Sequence, residues 1–362
     1  MTKALYVHVP FCDKICAYCD FTRVISHPKL ISEYLGALKA ELETYPINFY
    51  KTIYIGGGTP TALNEKELTI LFEILKPSSK LVQEYTIEIN PESLTLAKVK
   101  IMKRYGINRV SLGVQTFDEN ELKLLHRSHT FEDIISAINL LRSVEITNIS
   151  IDLIYGLPLQ TLESFERSIH EAFKLPITHL SLYSLTIEPN SEFGRGKLEK
   201  VSDEVEEVMY FKALELFKSY GFAQYEISNF TKELPSQHNT IYWHSEDYLG
   251  IGPGAVSLLK NQRIENTKNI NAYQKGQFHA SILDLSLEDQ RYEFMMMGLR
   301  LKEGIALERY ETRFGESILV HFEKQLDQLF KKGWMEIKDG YLKCTEQGFP
   351  LLNTVLGDLL DE

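Results

Sequence analysis

The chain has little cysteine: four residues in 362. Four are too few to staple a fold of this size, which excludes a disulfide framework. It also lacks a basic balance. Lysine and arginine number 39 against 50 acidic residues, for a formal charge of −11. Non-specific nucleic-acid binding needs a basic footprint, so no nucleic-acid partner is expected. No run approaches the roughly 18–20 apolar residues of a membrane span. The N-terminus passes from Met1 straight into an apolar strand, so no signal or transit peptide is expected. What is there is a globular composition, 44% hydrophobic and 25% charged, long enough for one large core and a smaller domain.

The apolar pattern alternates between two periods. Strands are expected at 4–9, 52–55, 85–90, 109–115, 149–154 and 179–185. Helical spacing fills 30–45, 65–75, 96–105, 131–144, 162–173 and 203–220. Such alternation argues for parallel βαβ units, and six fall short of the eight of a complete barrel. Composition changes near residue 285. Helices are expected over 287–301, 307–314 and 318–331, then a hairpin over 334–344 turning at Asp339-Gly340. Three helices and a hairpin resemble a winged-helix module, expected here to pack on the barrel or contact a partner. The expected domains are 1–230, a connecting segment 231–285, and 286–362. Cys344 is expected to be a buried thiol in the hairpin.

Three of the four cysteines, Cys12, Cys16 and Cys19, fall within eight residues. Thiolates are soft ligands for zinc, copper(I) or iron–sulfur clusters. Three on one loop can hold three corners of a four-iron cubane and leave one iron open. A structural zinc site would want a fourth ligand, and Cys344 stands more than 300 residues away. Zinc ligands or buried structural thiols remain the alternatives from the cysteines alone.

The spacing Cys-x3-Cys-x-Tyr-Cys follows Tyr6-Val7-His8-Val9-Pro10-Phe11 and precedes Gly56-Gly57-Gly58-Thr59-Pro60. That context resembles the radical S-adenosylmethionine (SAM) enzymes. The resemblance implies an open six-unit (β/α) partial barrel, a 4Fe-4S cluster on Cys12, Cys16 and Cys19, and SAM on the open iron. It also implies a SAM site at the strand ends, drawn from Tyr6, Tyr18, Gly57, Gly58, Thr59, Glu88, Gln115, Arg127, Asp152 and Ile154. There the glycines let backbone approach closely. Arg127 and Gln115 suit the methionyl carboxylate, Glu88 and Asp152 the ribose hydroxyls, and Ile154 the adenine. An arginine opening a helix can equally be a solvated charge, and that alternative stays open for Arg127. His8 is expected to pack or hydrogen-bond beside the cluster. An oxidation-sensitive cluster and sparse cysteine suggest the cytoplasm, with peripheral membrane contact left open.

Ile-Glu-Ile-Asn-Pro-Glu, Gly-Val-Gln-Thr-Phe and Asp-Leu-Ile-Tyr-Gly-Leu-Pro resemble segments of oxygen-independent coproporphyrinogen III oxidase. Those oxidases carry a further cysteine two residues after the third and an N-terminal extension. Here that position is Phe21, and eleven residues precede Cys12. Both departures turn the resemblance towards the HemW-type haem chaperones. It implies haem as cargo, haem-accepting respiratory proteins and an electron donor as partners. His238-Asn239-Thr240-Ile241-Tyr242-Trp243 is similar to that group's His-Asn-x2-Tyr-Trp motif, making His238, Tyr242 and Trp243 haem candidates. His and Tyr are competent iron ligands, although a histidine beside aromatics is more often hydrogen-bonded structure. Gly250, Gly252 and Gly254 are expected to let backbone approach a macrocycle. The alternative function is oxidative decarboxylation of coproporphyrinogen III; a third reading is an inactive scaffold with zinc in the cysteine loop.

Overall fold

A computed structural model describes residues 2–46 and 49–360; Met1 and the last two residues of the expected C-terminal domain lie outside them. The six expected strands form as β1 (Ala4–Val9), β2 (Thr52–Gly57), β3 (Glu84–Ile89), β4 (Arg109–Gln115), β5 (Asn148–Tyr155) and β6 (His179–Ser184). All pair in parallel and in chain order. Their apolar residues face the covering helices and form the main core, with Leu5, Ile53, Ile87, Val110 and Ile149 fully buried. Burying each such side chain contributes roughly 1.5–3 kcal/mol. Helix starts are set by side chains: Asn64, Thr130 and Thr161 each close a capping box.

The sheet is larger than the sequence pattern suggests. Among the described residues it has twelve strands and stays open. Beyond β6 lie β7 (Ala223–Glu226) and β8 (Asn229–Thr231), both antiparallel. Beyond β1 lie β9 (Tyr248–Ile251), β10 (Val256–Leu259), β11 (Gln262–Asn266) and β12 (His279–Asp284). The stretch 231–285, read as a connection, therefore extends the sheet: β9 runs parallel to β1, and the next three strands meander antiparallel.

Glu41 ties this extension down. It is fully buried on the helix Pro28–Thr44. Its carboxylate accepts bonds from the Gly252 N–H at 2.8 Å, Asn266 Nδ2 at 2.6 Å and the Tyr273 hydroxyl at 2.5 Å. Gly250, Gly252 and Gly254 serve the same junction. A Cβ on them would collide with Val256, the His8 carbonyl and Thr22 respectively, so the close approach they allow is to this chain's own backbone and loop.

The C-terminal part has its own core, built around Met295, Tyr310, Leu329, Leu342 and Val355. It contains the expected helices and hairpin, with Ile305–Ala306 adding a third strand. The helix expected over 318–331 breaks at Phe322, and a further helix covers Leu352–Leu360. Cys344 is buried in the hairpin strand. The domain packs on the main body. Arg309 and Arg313 donate to the carbonyls of His244 and Ser245, and Arg300 pairs with buried Glu226 at 3.2 Å.

Candidate functional site

The cysteine loop leaves β1 through Pro10 and is pinned from three sides. Phe11–Cys12 pairs with Val24–Ile25. The Ala17 N–H bonds the Leu125 carbonyl at 3.2 Å. The glycine triplet ending β2 locks in beneath it: Gly58 N–H donates to Val9 and Thr59 N–H to Phe11. A Cβ on Gly58 would lie 2.9 Å from Cys12 Sγ, so only glycine lets the triplet lie against that sulfur.

Cys12, Cys16 and Cys19 all line one cavity of about 590 Å3. Tyr18, Gly57, Gly58, Thr59, Glu88, Gln115, Arg127, Asp152 and Ile154 line it too. The sequence thus brought twelve of its thirteen cluster-and-SAM candidates to one place. Tyr6 is the exception: its hydroxyl bonds His8 Nδ1 at 3.0 Å, and it lines a neighbouring cavity. His8 is a buried hydrogen-bonding residue, its Nε2 reaching the Thr22 carbonyl at 2.8 Å.

A chain of side chains runs round the first cavity. Thr59 Oγ1 is 3.8 Å from Cys12 Sγ and accepts from Asn90 Nδ2 at 3.2 Å. Asn90 Oδ1 accepts from Arg127 at 2.7 Å, and Arg127 also donates to the Tyr18 hydroxyl at 3.3 Å. Arg127 is therefore half-buried and held towards the cysteines, not a free surface charge; its Nε is buried without a partner. Asn90, which fixes this chain, was missed in the sequence although it stands beside Pro91 at the end of β3.

Glu88 accepts from the Tyr54 hydroxyl at 2.9 Å and the Gly57 N–H at 3.0 Å. Burial, followed by the charge of Asp152, pushes its carboxyl up to about 7. Asp152 accepts from Ser111 at 3.1 Å, and burial raises it as well. Burial likewise pushes the Cys12 thiol up to about 11, so a cation or metal charge is needed to hold it as thiolate. Gln115 ends β4 with φ of +70° beside a register shift, which turns its side chain into the cavity.

The donor set fits the groups the resemblance implied. Three thiols face one cavity, and an arginine with an orphaned Nε and two half-buried carboxyls stand across from them. Among the described residues no three Cys, His, Asp or Glu side chains converge on a single metal ion. A zinc site requires such convergence, whereas thiolates on different irons of a cluster do not.

The second cavity, of about 580 Å3, shares Asp20, Phe21, Tyr54, Gly57, Glu88, Tyr183 and Asn239 with the first. Its other walls include the aromatics Tyr6, Tyr242, Trp243 and Tyr248, with Lys268 and Arg300 adding charge. His238, Tyr242 and Trp243 belong to a short helix, Gln237–Trp243. Its first turn is seated on buried Glu84, which accepts from the N–H groups of Gln237 and His238, both at 2.9 Å. His238 is buried and engaged through both ring nitrogens, with Thr52 Oγ1 at 2.8 Å and the Tyr242 hydroxyl at 2.7 Å. Burial holds it neutral, down to about 3. In this arrangement neither nitrogen is presented to a ligand. Trp243 lies under the Arg300 guanidinium at 4.3 Å, and its indole N–H is buried without a partner.

Residues 6–172 match the model of the radical SAM superfamily, and residues 285–351 that of the HemN C-terminal domain. The chain is 37% identical to the haem chaperone HemW of Bacillus subtilis, over 99% of this chain and all of that one. It is 34% identical to HemW of Lactococcus lactis, over 99% and 97%. The fold is similar to that of the coproporphyrinogen III oxidase HemN of Escherichia coli: TM-score 0.87, 23% identity, 99% of this chain and 90% of that one. Cysteine loop, glycine cradle and full-length similarity agree: the chain belongs to the HemW-type group of the radical SAM superfamily, a membership that implies a 4Fe-4S cluster and SAM.

Proposed function

We propose that this chain binds haem and passes it to haem-accepting respiratory proteins, with an electron donor serving the cluster. The observation that supports this best is the pairing of cavities. A chamber walled by tyrosines and a tryptophan adjoins the cysteine cavity and shares seven of its walls. Flat apolar faces with a few fixed polar groups suit a macrocycle. The name carried by the full-length bacterial relatives supports the same reading.

Cys12, Cys16 and Cys19 would hold the cluster. Arg127 and Gln115 would hold the methionyl carboxylate of SAM, Glu88 and Asp152 its ribose, and Ile154 its adenine. When bound, these groups supply electron transfer and an iron that SAM chelates. The residues of this chain orient them: Asn90 fixes Arg127, Thr59 steadies Cys12, and Gly57 and Tyr54 hold Glu88. Ile15, Phe21 and Ile25 stand exposed on and beside the cysteine loop. They form an apolar rim suited to an acceptor protein. No described helix is long and apolar enough to cross a membrane.

Coproporphyrinogen decarboxylation is the second reading, and the likeness to the oxidase supports it through fold alone. One sample separates the two. After anaerobic cluster reconstitution, haem titration is expected to give a saturable Soret band, and coproporphyrinogen III is expected to remain unconverted with SAM and reductant. No Soret band would sink the chaperone reading; SAM-dependent conversion would establish the oxidase.

A further inference from the structure

Arg109 opens β4. Its neighbours Val110, Leu112 and Val114 pack in the core. Strand alternation therefore turns Arg109, Ser111 and Gly113 the other way, and all three line the cysteine cavity. Arg109 is only 3% exposed. Among the described residues its guanidinium has no hydrogen-bond or ion-pair partner. Glu88 and Asp152 lie close enough to feel its charge: burial pushes both carboxyls up, and Arg109 opposes that. Neither bonds it. Glu88 is taken by Tyr54 and Gly57, and Asp152 by Ser111.

An enclosed guanidinium that bonds no carboxylate keeps its donors free for a ligand. Its five donors in a planar fork match a carboxylate in two-point contact. The methionyl carboxylate has its own holders, Arg127 and Gln115, near the other end of the strand. Gln115 stands six residues along β4 from Arg109, about 20 Å away. A second carboxylate is needed, and haem carries two on flexible propionate arms. Tyr54 and Glu88 line both cavities, so a macrocycle against the aromatic walls can send an arm across that boundary.

We infer that Arg109 is the docking site for a haem propionate. This rests on the haem reading above. The test uses the full-length chain with reconstituted cluster, titrated with haem, with haem dimethyl ester and with SAM. Wild-type protein binds haem more tightly than the diester. Arg109→Gln weakens haem about 10–100-fold, the range of one charge-assisted contact, while leaving diester and SAM affinities within about twofold. Arg109→Lys recovers part of the preference. Ligand-free Arg109→Gln melts close to wild type, since no side-chain hydrogen bond is lost. Equal weakening of haem and diester, or an unchanged haem affinity, overturns the assignment. Weakening of SAM alone makes the occupant the methionyl carboxylate and overturns it too. A lower melting point in the ligand-free variant makes Arg109 a structural counter-charge to Glu88 and Asp152. Failure of wild type to bind haem overturns the haem reading itself, and this inference with it.

Discussion

The cysteine cavity takes its walls from the cysteine loop and the parallel strands, whereas the aromatic cavity adds walls from β9, β10 and the helix Gln237–Trp243. One carries carboxyls, an arginine chain and three thiols. The other is rich in rings, and its two histidines, His8 and His238, are each locked by two hydrogen bonds. The first resembles a fixed cofactor seat. The second has the character of a chamber for a large flat guest. Their shared walls raise the question of whether they act together.

The sharpest break is Cys16→Ser. It is expected to abolish the visible absorbance of the reconstituted cluster. Haem affinity then reports the coupling: independent cavities leave it within about threefold, while a single working chamber loses it. Arg127→Ala comes next. Losing a charge-assisted contact, it is expected to weaken SAM about 10–100-fold by equilibrium dialysis while sparing haem. His238→Ala removes two buried hydrogen bonds and strands Thr52, at a cost of about 2–3 kcal/mol in urea unfolding. If the haem-loaded variant keeps the wild-type Soret position, His238 is a brace of the aromatic wall and not an axial ligand.

The smallest effect is with pH. The folded-state value of Glu88 lies above its ordinary 4.5, near 7. Folding therefore favours the protonated form. Stability present below about pH 4.5 is lost as pH rises through 7, on the order of 1 kcal/mol for a carboxyl facing a cavity. Thermal melts of ligand-free protein between pH 5 and 8 should show this decline, and Glu88→Gln should flatten it.

The parallel half of the molecule was legible because its strands are continuous apolar runs that stop at Gly, Pro or Asn, and because site residues gather at those stops. The aromatic half was not. Strand β12 is exposed along its whole length, so it has no buried face to leave a period in the sequence. The helix Gln237–Trp243 is too short for helical spacing, and its motif drew attention to ligation when its first task is to sit on Glu84. The glycines after it pointed to a macrocycle but accommodate His8 and Thr22. Arg109 escaped notice because it stands at the start of a strand, where only the three-dimensional lumen reveals that it lacks a partner.

Gln115 carries a consequence for anyone seeking a sturdier version of this protein. Its left-handed backbone, at φ of +70°, is a conformation glycine adopts more readily, so Gln115→Gly relieves strain of about 1 kcal/mol. A stability screen would tend to select that change, and in doing so would discard the amide aimed at the cavity. Thermostability and ligand affinity are set against each other at this one position, and a variant improved in the first should be checked for the second.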